Sequence, residues 1–133
     1  MPRIRRGSHT PTTSVGGLVH CLLPLSKSSP EKASTKPAMF TDTGVMAVLE
    51  AVFKLGANKK RLVVKAAGGS SPLDKCDRFK IGERNYTVLR KVLWKNDLML
   101  AAKDVGGTKP RTMSLYIATG QTTIKSAGEE TEL

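Results

Sequence analysis

Apolar residues recur at Val45, Val48, Leu49, Val52 and Phe53. That spacing of three and four positions puts them on one face of a helix. Thr41, Asp42 and Thr43, just ahead of them, carry the side-chain oxygens that cap a helix N-terminus, and Gly56 stands where a left-handed C-cap closes one. Beyond Gly56 the pattern changes to strands. Residues 61–66 form a short β run that Gly68, Gly69, Ser70, Ser71 and Pro72 end. Residues 78–81 alternate, residues 86–94 alternate more loosely, and residues 82–85 between them read as a hairpin turn. A turn at 95–97 leads into 98–103. Gly106, Gly107 and Pro110 break the chain again before 112–117, where Met113, Leu115 and Ile117 share one side. The expected fold class is mainly β: a small antiparallel barrel or sandwich with one helix and extended N- and C-terminal segments.

The ends of the chain carry less pattern. Residues 1–17 hold three arginines followed by Gly, Pro, Ser and Thr, with little to bury, and read as a flexible basic arm. Residues 18–25 are an apolar run that reads as a short strand ended by Pro24. Residues 26–38 are polar, and residues 120–133 read as a loose tail. The expected organisation is a basic N-terminal arm with a possible short strand over 1–38, a helix plus β-barrel domain over 39–119, and a C-terminal tail over 120–133.

Charge adds a class of partner. Twenty-two Lys and Arg oppose eleven Asp and Glu in 133 residues, a net charge of +11. Such a balance points to an anionic partner: nucleic acid, a phosphate-rich surface or an acidic protein. Arg3, Arg5 and Arg6 lie in an acid-free head, and Lys59, Lys60 and Arg61 follow the helix; these six are the candidate nucleic-acid or partner contacts. Contacts of that kind neutralise phosphates without reading sequence, so DNA or RNA binding would be non-specific and salt-sensitive. Tyr86, Trp94 and Tyr116 are too scattered to form a stacking platform.

No catalytic, cofactor or metal site emerges from spacing. The histidines are His9, in the arm, and His20, in the apolar run. His20 and Cys21 fail as a base–nucleophile couple, because adjacent residues of a strand point to opposite faces; a core or edge position suits both. Cys21 and Cys76 stand outside any CxxC spacing. Asp74, Asp77, Asp97 and Asp104 sit in or beside expected turns, which explains them. Gly68, Gly69, Ser70 and Ser71 match neither phosphate-binding glycine pattern. The expectation is a binding or structural protein, with no enzyme activity and no cofactor. The longest apolar run is too short to span a bilayer, so no membrane partner is expected.

The segments MFTDTGV (39–45) and DRFKIGERNYTVLRKVLWKNDLMLAAKDV (77–105) resemble the head–tail joining, or head-completion, proteins of tailed bacteriophages. In that family a phenylalanine-containing segment with an acid and Gly-Val precedes a small barrel, and a strand–turn–strand pattern follows. Asp77, Phe79, Ile81, Tyr86 and Val88 supply that pattern here, with Gly82 one place away from the family's spacing. The resemblance implies a virion structural protein, made in the host cytoplasm and carried in the virion as a neck or connector subunit. Its partners would be the portal, the tail or the next connector protein, and copies of itself in a ring. The alternative is a capsid- or nucleocapsid-like protein, or a ribonucleoprotein component, that binds nucleic acid through the basic arm.

Overall fold

A computed structural model of the chain describes residues 2–6, 15–70 and 80–133. The small, mainly β fold that the sequence predicts is what the chain adopts, with its strands divided between two sheets. The first sheet has the order β2-β1-β3-β4, built from Pro2–Arg6 (β1), Gly16–Leu18 (β2), Leu62–Gly68 (β3) and Leu100–Val105 (β4). β1 runs antiparallel to β2 and β3, whereas β3 and β4 are parallel. Thr112–Leu115 (β5), Thr122–Ser126 (β6) and Glu129–Glu132 (β7) form the second sheet, antiparallel throughout. The helices are Pro30–Thr35 (α1), Thr41–Lys54 (α2) and Ile81–Lys95 (α3).

α2 and α3 cover one face of the first sheet. Val45, Leu49 and Val52 of α2 meet Leu89 and Leu93 of α3 over Val64 and Ala66 of β3, with Leu98 closing the cluster. Val64 and Ala66 share a face because strand side chains alternate. Ala67 therefore points the other way, where Met113 of β5 and Ile124 of β6 bury it. Arg111 ties these layers together at the end of the sheet. Its guanidinium donates to the carbonyls of Gly68 and Gly106 at 3.2 and 2.7 Å and lies 3.2 Å from the Asp104 carboxylate.

α2 buries Val45, Leu49 and Val52 of its expected face and closes where expected, but Phe53 is 37% exposed and the N-cap is Phe40, with no side-chain cap bond, instead of the expected Thr41, Asp42 or Thr43. Gly56 adopts φ +100°, its N–H donates to the carbonyl of Phe53, and the N–H of Ala57 reaches back to Val52. This pair of hydrogen bonds satisfies carbonyls that a helix end otherwise leaves open. Gly56→Ala should lower the unfolding free energy by about 1–2 kcal/mol, the cost of a Cβ in left-handed backbone. Urea denaturation measures it, and an unchanged midpoint would show that the cap contributes nothing.

Several expected elements take other forms. Residues 81–95, expected as a turn and a strand, are the helix α3. Burial at Leu89 and Leu93, with Tyr86 half-buried, follows a spacing of three and four, whereas Trp94 is 78% exposed. The alternation of Tyr86, Val88, Val92 and Trp94 is thus incidental, and the residues that carried the phage resemblance do not form its hairpin. Pro2–Arg6, expected in a flexible arm, is a strand between two neighbours. Residues 122–126 and 129–132, expected as a tail, are β6 and β7. Asp74, Cys76, Asp77, Arg78, Phe79 and His9 lie outside the described residues.

Candidate active site

After β2 the chain runs through Val19, His20 and Cys21 to Leu23, which bridges Phe40 just ahead of α2. The N–H groups of Leu22 and Leu23 donate to the carbonyl of Met39 at 2.8 and 3.0 Å, and the N–H of Thr41 returns a 2.7 Å bond to Leu23. Side chains alternate along this extended segment, as the backbone requires. Val19 is buried, His20 is exposed and Cys21 turns inward.

Cys21 enters a cleft of about 50 Å³ where Thr41, Gly69, Gly82, Asn85 and Tyr86 converge. Thr41, buried to 2% exposure, donates through Oγ1 to Oδ1 of Asn85 at 3.2 Å. Nδ2 of Asn85 in turn donates to the carbonyl of Leu22 at 3.1 Å. α2 and α3 are thereby joined, and the backbone one residue beyond Cys21 is held. The Asp42 carboxylate fixes the next stretch by accepting from the N–H and the hydroxyl of Ser26.

Burial pushes the Cys21 thiol up from 9.0 to about 11, and a hydrogen bond with Thr41 works against that without cancelling it. A raised value keeps the thiol protonated at neutral pH, the opposite of an activated cysteine. Cys21 in the folded protein should therefore react slowly with iodoacetamide near pH 7, and its rate should climb between pH 9 and 11. Peptide-resolved mass spectrometry separates it from Cys76; rapid labelling at neutral pH would show a stabilised thiolate instead. His20 is the group of this pair that meets solvent.

The six basic candidates lie elsewhere. Gly68, at the C-terminal end of β3, lines the cleft, whereas Lys59, Lys60 and Arg61 form a helical turn before the other end of that strand. Arg6 of β1 stands opposite Leu62, next to that turn, while Arg5 opposes Val63 and Arg3 opposes Lys65. The fold so brings the end of β1 to the Lys59–Arg61 turn, though the two are far apart in sequence. Lys59 lies 3.7 Å from the Asp97 carboxylate, an exposed pair of little energetic weight. Sequence reasoning missed Thr41 and Asn85 as site residues, since it read one as a cap and the other as part of a turn. Only the α3 periodicity, traced through Tyr86, Leu89 and Leu93, would have placed Asn85 on a buried-side helix position.

Residues 22–126 match the family model described as CheD chemotactic sensory transduction. A relative from Syntrophus aciditrophicus, named a probable chemoreceptor glutamine deamidase CheD 1, is 43% identical over 120 residues, covering 90% of this chain and 75% of the relative. A second, from Solibacter usitatus, named a probable chemoreceptor glutamine deamidase CheD, is 42% identical over 125 residues, or 94% and 74% of the two chains. A third with that name, from Pyrococcus horikoshii, is 39% identical over 119 residues, or 88% and 72%. These matches overturn the resemblance to phage head–tail joining proteins. With it go the connector function, the portal, tail and ring partners and the virion setting, and the capsid-like and ribonucleoprotein alternatives gain no support. The expectation of a non-enzymatic protein falls too, because the relatives bear the name of an enzyme.

Proposed function

The chain belongs to the CheD chemotactic sensory transduction family, and on that premise we propose that it hydrolyses the side-chain amide of glutamine residues in a chemoreceptor. The observation that carries this is the identity of about two residues in five, across nine-tenths of the chain, with relatives named as deamidases of that substrate. In the reaction the amide C–N bond breaks, oxygen from water enters the new carboxylate, and the nitrogen leaves as ammonia. The leaving nitrogen must gain a proton and the attacking oxygen must lose one, so the step needs a group that moves protons. His20 supplies it: it is exposed, and its backbone is fixed by a neighbouring segment tied to both helices. Thr41 and Asn85 act by position, holding that segment against α2 and α3.

The charge suits the partner. A protein of net charge +11 is drawn to an acidic protein surface and raises its encounter rate there. Arg3, Arg5, Arg6, Lys59, Lys60 and Arg61 are proposed as that contact. Incubating the chain with a chemoreceptor should release ammonia and convert receptor glutamines to glutamates. A receptor whose target glutamines are replaced by glutamate should release none. Equal ammonia from both receptors, or none from either, would overturn the assignment.

A further inference from the structure

Deamidation leaves unused a groove of about 700 Å³ between α3 and β4. Tyr86, Arg90, Lys91 and Trp94 of α3 form one wall, and Met99 and Lys103 belong to the other. Trp94 is 78% exposed and Met99 86% exposed, so two large apolar side chains stand in water on facing walls. An apolar pair placed so, within a polar rim, marks an interaction surface.

The second observation concerns the backbone. Every residue from 98 to 103 lines the groove, and regular alternation is broken there, because the pairing with β3 steps from Leu100 to Ala102 and leaves Ala101 as an extra residue. The groove runs along this stretch of β4. β4 is the outer strand of its sheet, and among the described residues its only strand partner is β3. An outer strand offers alternating N–H and C=O groups to any chain that lies beside it.

The third observation is charge. Arg90, Lys91 and Lys103 line the groove, and among the described residues no carboxylate does. Two of these cations are placed by one aromatic ring: Lys103 donates to the Tyr86 hydroxyl at 3.0 Å and sits 5.2 Å from the ring centre, and Arg90 lies 5.8 Å from that centre. We propose that this groove binds an acidic segment of a partner protein, which adds in extended form as a strand alongside β4. Its carboxylates meet Arg90, Lys91 and Lys103, and an apolar residue covers Trp94 and Met99. A groove between a helix and an open strand edge suits this mode, in which main-chain bonds give affinity and side-chain contacts give selectivity. A nucleic-acid backbone suits it less, because phosphates accept hydrogen bonds but leave the strand's carbonyls without donors.

Trp94 is the only tryptophan of the chain, so its emission reports occupancy directly. The probe is a blocked peptide that alternates glutamate and valine, titrated into the full chain. The expected result is a saturable change in emission, weakened about tenfold by Lys103→Glu or by Arg90→Glu, and lost when alternate backbone nitrogens of the peptide are methylated. Thermal unfolding of both variants is followed alongside; if the loss of the Tyr86 contact unfolds Lys103→Glu, the exposed Arg90→Glu carries the comparison. Equal binding of the methylated peptide would overturn strand addition, and equal binding of a lysine–valine peptide would overturn charge selection. A single-stranded oligonucleotide that binds as tightly as the acidic peptide would mark a general polyanion surface and overturn the proposal.

Discussion

His20→Ala is expected to lower the rate of receptor-glutamine hydrolysis by about 10²–10⁴-fold, the usual contribution of a positioned proton-transfer group. The unfolding midpoint should not move, because the side chain is exposed and exposed positions away from structural contacts tolerate truncation within about 0.5 kcal/mol. The two readouts separate a chemical role from a structural one. Added imidazole should restore part of the lost rate at the alanine variant while leaving the wild type unchanged, since it replaces the missing proton carrier. A rate that survives the substitution would remove His20 from the chemistry. A rate lost together with stability would make it a structural residue.

Gly82→Ala is expected to have the largest effect on the fold. A Cβ at this position would lie 2.5 Å from the carbonyl oxygen of Gly69 and 2.6 Å from its carbon. Both are backbone atoms at the end of β3, so no side chain can swing aside. Gly69 holds φ +64° and is also tight from its own side, though less so, with a built Cβ 3.1 Å from the carbonyl oxygen of Gly82. The start of α3 would have to lift away from the sheet, and overpacking of that kind costs about 1–3 kcal/mol. Asn85 lies one turn further along α3, so the shift would also loosen its bonds to Thr41 and Leu22. Urea unfolding should show the loss, and hydrolysis should fall with it. Glu83→Ala, at the exposed neighbouring position, serves as the control and should change neither; a Gly82→Ala protein as stable as that control would show that the close approach is not needed.

What the sequence made legible depends on how far apart the deciding residues lie. α2 was readable because its apolar stripe and Gly56 fall within one short window, although Phe40 stands at its N-cap and Thr41, Asp42 and Thr43 lie inside the helix. α3 was misread for a physical reason: Tyr86, Val88, Val92 and Trp94 mimic strand alternation, while the residues that bury, Leu89 and Leu93, sit four apart. Burial against α2 decides between the two patterns, and burial is not local information. The strand at Pro2–Arg6 was hidden for a similar reason, since its partners are β2 and residues more than fifty positions away in β3.

The site was even less legible. The alternation argument placed His20 and Cys21 on opposite sides of an extended segment, and the structure agrees, with one exposed and the other turned into the cleft. That argument excluded a direct couple between neighbours; it did not bear on whether an exposed histidine takes part in chemistry alone. Thr41, Gly69 and Asn85 meet only once β3 and α3 have crossed over beside α2, and no spacing in the chain announces it. The basic excess was plain from composition, but its grouping was not. Arg6 and the Lys59–Arg61 turn come to one end of the sheet through the antiparallel register of β1 on β3.

The most direct measurement follows the oxygen. The chain and a chemoreceptor are incubated in water enriched in heavy oxygen, and receptor peptides are then read by tandem mass spectrometry. Hydrolysis by this protein predicts that specific glutamines become glutamates carrying one heavy oxygen each, with the wild type far ahead of His20→Ala. Receptor glutamines that remain amides with the wild-type chain, or that convert at the same rate without it, would contradict the account.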